Sequence, residues 1–282
     1  MNATAFVTRF APSPTGHLHL GNAYSALVVQ DMADAAGGRL LLRVEDIDQR
    51  RCRPDLEAAM LEDLAWLGLT WEVPVRRQSE HFTLYRERLQ VLTDAGLTYP
   101  CFCTRREIRL AVEASGAAIG PEGPVYPGTC RRLSAAAHAD RRDAGDAFAV
   151  RLDMAAALET VGGRDLIWQD LDAGPQPCRA ARFGDVVLAR KDIPTCYHMA
   201  VTIDDALQGI SHVIRGQDLF EASHVHRLLQ ALLELPTPVY RHHPLIADDA
   251  GVRLAKAKRS PSIRDLRDQG LTPTDVRALI GL

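Results

Sequence analysis

The sequence predicts an α/β protein with a Rossmann-like parallel sheet and a smaller α+β module inserted into it. Three observations carry this reading. A strand–loop–helix–strand pattern fills residues 3–44, and two parallel strands need a crossover, usually a helix. Parallel-sheet patterning returns near Met199–Ile203 and Ser211–Arg215. Between them, residues 99–190 carry short strands, turns and a Gly/Pro-rich loop at 116–128. The expected division is therefore 1–98 for the first half of the sheet domain, 99–190 for the insertion, and 191–282 for the second half with its Lys-bearing loop and short closing helices.

The elements follow in order. Ala3–Phe10 reads as a strand, and Asn22–Ala36 as a helix stopped by Gly37 and Gly38, because glycine is the usual residue past a helix end. Arg39–Val44 is a second strand. A helix opens at Pro54, a residue favoured at the first helical position, and runs to Leu67; another spans Ser79–Ala95. Tyr99–Cys103 is a short strand, and Thr104 with Glu107 forms a capping box that starts a helix ending near Ser115. Phe148–Leu152, Asp165–Gln169 and Val186–Leu188 are short strands of the insertion. Ser223–Leu235 is a helix with Val225, Leu228, Leu229 and Leu232 on one face. Tyr240–Ala247 is a last strand, and Ser262–Gln269 and Thr274–Ile280 are closing helices.

Composition narrows the function. The net charge of −3 excludes nucleic-acid binding by bulk positive charge, and leaves room for a local basic face. No apolar run approaches the ~18 residues of a membrane span, and the N-terminus lacks the pattern of a secretory signal. A cytoplasmic protein is expected. Six cysteines at 52, 101, 103, 130, 178 and 196 are too sparse for a disulfide framework. Three of the 33 basic residues are lysines (Lys191, Lys256 and Lys258), which leaves 30 arginines.

Two motifs carry chemistry. Pro12–Asn22 lies where a strand hands over to a helix, at the sheet edge where α/β proteins bind ligands. Gly16 and Gly21 allow close backbone approach. His17 and His19 stand beside a helix N-terminus that favours anions. The second motif is Arg253-Leu-Ala-Lys-Ala-Lys-Arg259, which holds two of the three lysines. Lysine is a compact charge on a flexible stem, suited to following a phosphate. Cys101 and Cys103, two apart, form a chelating pair, and Cys130 follows a loop able to fold back on them. Three thiolates leave one position of a tetrahedral zinc shell. Residue chemistry alone offers Cys178, Cys196 or His138 for it.

A His-x-Gly loop near the start and a Lys loop near the end resemble the two signatures of class I aminoacyl-tRNA synthetases. Arg9–Gly21 is similar to the opening of the glutamyl branch of that class. Arg43-Val-Glu-Asp-Ile-Asp48, Tyr197–Asp205 and His212–Asp218 resemble its later segments in the same order. Only 25 residues follow Ala257, too few for a domain. No anticodon-binding domain is expected, and the resemblance falls on the short paralogues that place glutamate on the queuosine base of tRNA(Asp).

The resemblance implies a class I synthetase catalytic domain. Its expected reaction is tRNA-independent activation of L-glutamate by ATP to glutamyl-adenylate and pyrophosphate, then transfer to queuosine-bearing tRNA(Asp). Arg9 and Arg215 are expected to read carboxylates, Glu45 the ammonium, and Ser13 and Tyr197 to add neutral hydrogen bonds. His19, Gly21 and Lys256 are assigned to ATP, with His19 and Lys256 catalytic. The zinc set becomes Cys101, Cys103, Tyr126 and Cys130, with Tyr126 implied by the resemblance and not by spacing. The zinc is expected to be structural, Mg²⁺ to accompany ATP, and the chain to be a monomer. Asp204 and Asp205 could hold water or Mg²⁺, or cap a helix. Ala255 stands where the family has a serine, so a hydroxyl near the phosphates is missing. Two other readings stay open: a truncated glutamyl-tRNA synthetase charging a tRNA 3′ end, and a catalytically silent zinc-bearing RNA-binding module.

Overall fold

The strand–loop–helix–strand unit forms as the pattern requires: β1 (Val7–Phe10), α1 (Leu20–Ala35) and β2 (Arg39–Val44), with β1 and β2 parallel in register Val7↔Arg39 to Phe10↔Leu42. The structure is a computed structural model that describes residues 5–162, 165–246 and 261–282. α2 (Pro54–Trp66) begins at its N1 proline, and β3 (Glu72–Arg77) then pairs parallel to β2. A 3₁₀ turn at Gln78–His81 leads into α3 (Phe82–Asp94).

The insertion follows with β4 (Thr98–Cys101) and α4 (Arg105–Ser115), whose Thr104–Glu107 capping box is present. A two-residue hairpin, β5 (Ile119–Gly120) and β6 (Gly123–Pro124), occupies the loop expected at 116–128. Then come α5 (Ala135–Asp143), β7 (Ala149–Leu152), α6 (Met154–Thr160), β8 (Ile167–Asp170), β9 (Gly174–Pro177) and β10 (Val187–Ala189). β10, β7 and β4 make a separate antiparallel sheet. β8 and β9 lie inside the 99–190 segment yet do not join that sheet: β8 pairs parallel with the last strand through Asp170 and Tyr240. The second half adds α7 (Tyr197–Leu207), β11 (His212–Gly216), α8 (Ala222–Leu232), β12 (Val239–His243), α9 (Ile263–Asp268) and α10 (Pro273–Leu279).

One element differs in type from its sequence reading. Met199–Ile203 is part of helix α7, not a strand. The helix is buried from His198 to Asp205, so it lacks a polar face, and a short apolar run cannot be told from a strand by periodicity alone.

β11 runs parallel to β12, and β1 lies beside β11, joined by the Ser211 N–H to the Val7 carbonyl at 3.0 Å. The chain thus winds outward from a central β1–β11 pair, β2 and β3 to one side and β12 and β8 to the other. Ligands of doubly wound sheets bind at such a switch point, beyond the carboxyl ends of the strands. One apolar core under α1 ties Phe10, Leu27, Leu42 and Ile214 to Ile263 and Val276 of the closing helices. A second gathers Tyr85, Leu152, Leu188, Met199, Leu228 and Leu229 between α3, α7, α8 and the insertion. Among the described residues no helix is long and apolar enough to cross a membrane.

Candidate active site

α1 starts at the switch point with His19 as its N-cap. The His19 Nδ1 accepts the Asn22 backbone N–H at 3.2 Å, and the Asn22 Oδ1 accepts the His19 N–H at 3.1 Å. Burial lowers the His19 pKa. A neutral ring whose Nδ1 is an acceptor carries its proton on Nε2, so the side chain offers one N–H donor. It lines a cavity of about 270 Å³ with Gly21, Tyr24, Gly216, Asp218 and Leu245. Ile246, the last residue described before the gap, lines the same cavity. On the far side of the gap Ser262 bridges His19, and the Ile263 N–H reaches the Leu18 carbonyl at 2.7 Å. Lys256, with Arg253 and Ala255, lies outside the described residues.

Beside this cavity the fold buries an ionic cluster. Arg9 from β1 donates Nε–H to Asp205 Oδ1 at 2.8 Å. Arg43, fully buried on β2, donates to the same oxygen at 2.7 Å and to Glu45 Oε1 at 3.2 Å. Burial pushes the Asp205 carboxyl up, but Arg9 and Arg43 outweigh it and hold the group below the usual range. For Glu45 burial wins over Arg43 and Arg9, and its carboxyl sits above the usual range. A cation brought next to Glu45 would reverse that balance. Asp204 takes Arg76 Nε at 2.8 Å, Gln78 Nε2 at 2.9 Å and the Tyr85 hydroxyl at 2.8 Å. Neither aspartate caps a helix or is left over for a cation; both hold arginines.

Arg215, at the end of β11 and nearly buried, behaves differently. Its Nε donates to His242 Nε2 at 3.1 Å, Nη2 to Ser223 Oγ at 2.6 Å and to the Leu219 carbonyl at 3.1 Å, and Nη1 to the Tyr197 hydroxyl at 3.2 Å and His226 Nδ1 at 3.4 Å. Every acceptor is neutral. It forms no ion pair with a carboxylate among the described residues, and Asp218 lines the His19 cavity instead. A buried cation without a counter-charge is costly, so the site is built for an anionic ligand. The two longest bonds, both on Nη1, are the easiest to exchange for one.

Of the residues expected to read glutamate, the structure groups Arg9, Glu45, Tyr197 and Arg215. The Tyr197 hydroxyl, raised in pKa chiefly by burial, also feels the charges of the other three. Arg9 Nη1 lies 3.5 Å from the Ile214 carbonyl, next to Arg215. Ser13 sits in the same loop, exposed, and the Glu45 N–H to the Pro12 carbonyl at 3.0 Å pins that loop to the end of β2. Arg43, Asp205 and His242 were not singled out as site residues from sequence. The first two stood inside the quoted motifs, but their mutual pairing exists only in three dimensions.

In the insertion, the sulfurs of Cys101, Cys103 and Cys130 lie within 4.8 Å of one another. The Tyr126 hydroxyl is 3.5 Å from Cys101 Sγ and 3.4 Å from Cys103 Sγ, and accepts the Cys130 N–H at 2.8 Å. The other candidates are engaged elsewhere: Cys196 caps α7, Cys178 donates to the His224 carbonyl, and His138 Nε2 meets the Cys130 carbonyl. The cluster could bind a metal such as zinc: three convergent sulfurs and one phenol oxygen are a four-donor set.

Comparison with known proteins agrees with this geometry. Residues 5–282 match the family described as tRNA synthetases class I (E and Q), catalytic domain. The chain is 50% identical to a glutamyl-Q tRNA(Asp) synthetase of Rhodobacter capsulatus, covering 98% of this chain and 100% of that one. It is 42% identical to the Nocardia farcinica protein of the same name, over 96% of this chain and 82% of the other. A glutamate–tRNA ligase of Aquifex aeolicus is 37% identical, but the chain spans only 54% of its length. Among solved structures, a glutamate–tRNA synthetase of Elizabethkingia anophelis superposes with a TM-score of 0.75 at 28% identity, over 95% of this chain and 54% of that one. The chain belongs to the class I synthetase catalytic-domain family for glutamate and glutamine, and within it to the glutamyl-Q tRNA(Asp) synthetases.

Proposed function

We propose that the chain activates L-glutamate with ATP in the absence of tRNA, and then glutamylates the queuosine base of tRNA(Asp). The observation that carries the site assignment is Arg215: a buried guanidinium with only neutral partners among the described residues, grouped with Arg9, Glu45 and Tyr197 and followed directly by Gly216 of the nucleotide cavity. The acceptor is assigned from the relatives, whose printed name is glutamyl-Q tRNA(Asp) synthetase.

In the first step an α-carboxylate oxygen of glutamate bonds to the α-phosphorus of ATP, and the bond from that phosphorus to the pyrophosphate oxygen breaks. In the second, an acceptor hydroxyl oxygen bonds to the activated carbonyl carbon. The carbonyl–phosphate bond breaks, AMP leaves, and the hydroxyl proton passes to the leaving phosphate or to water. Neither step uses a protein nucleophile, so orientation and charge stabilisation do the work. Arg9 and Arg215 orient the carboxylates, Glu45 takes the ammonium, and Ser13 and Tyr197 add neutral bonds. The His19 Nε2–H donates to a phosphate, Gly21 leaves room for it, and Lys256 brings the mobile positive charge.

Zinc is assigned to Cys101, Cys103, Tyr126 and Cys130, where it would supply structure only, since four protein ligands leave no open position. Mg²⁺ is assigned to ATP. Among the described residues Asp218 is the one carboxylate lining the nucleotide cavity, so phosphate oxygens and water would supply most of the ligands of the Mg²⁺. We place the protein in the cytoplasm as a monomer. The test is labelling of tRNA(Asp) with and without queuosine. Label confined to the queuosine form supports the reading; equal labelling refutes it, and label at the 3′ end would favour a truncated glutamyl-tRNA synthetase. Absence of ATP–pyrophosphate exchange would favour a silent module.

A further inference from the structure

The glutamate-reading residues lie between two cavities. The nucleotide cavity begins at Gly216, the residue after Arg215. A second cavity, of about 470 Å³, lies on the other side of Tyr197, between α7 and the β5–β6 hairpin of the insertion. Tyr197 lines it and gives its hydroxyl oxygen to Arg215. His198, Glu122, Arg151, Tyr126 and Arg105 line it as well. Two reactants must reach one carboxyl group in turn. If ATP takes the first cavity, the second is left for the acceptor.

The second cavity carries unused polar groups. Arg151 is nine-tenths buried, its guanidinium lies 4.0 Å above the Tyr126 ring, and Nη1 donates to the Asp185 carbonyl at 2.7 Å. Its Nε, shut off from solvent, has no hydrogen-bond partner among the described residues. Asp185 is already consumed by Tyr99, Arg131 and the Met154 N–H. Glu122, on the hairpin, is different: its side chain is 56% exposed, and Oε1 meets His198 Nε2 at 3.1 Å. His198 Nδ1 faces His226 Nε2 at 3.1 Å, and His226 Nδ1 faces Arg215. Because arginine only donates, the protons order themselves so that the His198 Nε2–H points at Glu122. The carboxylate is fixed in place by the His198 N–H, with no arginine or lysine ion pair among the described residues.

We propose that this cavity seats the acceptor base and that Glu122 reads the cationic secondary amine of queuosine. This rests on the acceptor assigned under the proposed function. Queuosine is a 7-deazaguanosine whose C7 bears, through a methylene, a secondary amine that carries a cyclopentene diol and is protonated at neutral pH. The diol supplies the nucleophilic hydroxyl, and the ammonium lies a few bonds from it. A fixed carboxylate at the wall beside Tyr197 binds that cation and rejects guanosine, which has none.

The test is Glu122→Gln, which keeps an acceptor for His198 and removes only the charge. Pyrophosphate exchange and transfer to queuosine-bearing tRNA(Asp) are measured on the same preparation, with queuosine-free tRNA(Asp) as control for the wild type. The expected result is a fall of about 10–100-fold in transfer kcat/KM, mainly through the KM for tRNA, at least tenfold larger than any fall in exchange. Transfer at the wild-type level overturns the assignment. So does an equal loss in both assays, because Glu122 would then act through His198 and His226 on Arg215. Wild-type protein that labels queuosine-free tRNA equally overturns the acceptor reading itself, a failure visible without the variant.

Discussion

His242 stands between Asp170 and Arg215: its Nε2 accepts the Arg215 Nε–H at 3.1 Å, and its Nδ1 donates to Asp170 Oδ2 at 2.7 Å. The order of protons is forced, because a guanidinium has no lone pair to offer. A protonated His242 would turn an N–H toward Arg215 and lose that bond. Burial, then the charge of Arg215, pushes its pKa down to about 4. The folded value lies below the ordinary 6.5, so below pH 6.5 the unfolded chain binds more protons and stability falls with pH. Between pH 6.5 and 5 this residue alone should remove about 1.5 kcal/mol. Urea midpoints across that range should drop, and His242→Gln, which keeps an acceptor near Nε2, should flatten the slope by that amount. Identical acid limbs in the two proteins would refute the depressed pKa.

Arg215 should be irreplaceable by lysine. Its five N–H groups reach Tyr197, His226, Ser223, Leu219 and His242 at once, and an ammonium cannot copy that fork. Losing one bond to a charged group costs roughly 2 kcal/mol, about 30-fold in affinity. Arg215→Lys should raise the glutamate KM in pyrophosphate exchange by that factor or more, with the ATP KM changed far less. An unchanged glutamate KM removes the assigned role.

What was legible in the sequence divides along a physical line. Local signals survived: the Thr104–Glu107 capping box, the N1 proline at 54, and the β1–α1–β2 unit are all present. They depend on neighbours in the chain. Signals that depend on tertiary partners did not. α7 reads as a strand because burial on all sides erases its helical stripe. β3 carries no strand signal, since its sequence Glu-Val-Pro-Val-Arg-Arg puts a proline in an exposed edge strand. Asp205 looked like a capping residue because nothing in the sequence brings Arg9 and Arg43, 196 and 162 residues away, onto one of its oxygens. Tyr126 was named from the resemblance, and the structure places its hydroxyl beside the cysteine sulfurs.

The cysteine cluster should hold one zinc per chain. Purified protein analysed for metal should give that ratio, and Cys130→Ser should lose it, because removing one thiolate opens the shell. A bound metal stabilises the fold in proportion to its binding free energy, so a chelator should lower the melting midpoint of the wild type by several degrees and leave Cys130→Ser unmoved. Metal-free wild-type protein that melts at the same temperature as the metal-treated sample would remove the claim.

Lys256 lies outside the described residues, but both flanks of its segment meet the nucleotide cavity, at Ile246 and at the Ser262–His19 bridge. Lys256→Ala should abolish pyrophosphate exchange while the melting midpoint stays within about 1 °C, since a charge on a phosphate contributes to the transition state and not to the core. Exchange at more than about a tenth of the wild-type rate would show that another group carries that charge.

Gly216 offers a test of the nucleotide cavity that leaves its charges untouched. It has φ −68° and ψ 150°, a conformation open to any residue, so the backbone does not demand glycine. Space does. A Cβ there would lie 2.6 Å from Asp218 Oδ1 and 2.9 Å from Leu245 Cδ2, and both side chains line the cavity with Gly216 itself. Gly216→Ala must therefore shift these two side-chain ends, both of which line the cavity. We expect the KM for ATP in pyrophosphate exchange to rise about tenfold, the ~1.4 kcal/mol of a modest overpacking cost. The KM for glutamate should move less, because the Arg215 partners lie on the other side of the strand end, on α8, β12 and Tyr197. An ATP KM equal to wild type, with glutamate binding impaired instead, would show that the cavity beside His19 is not where the nucleotide sits.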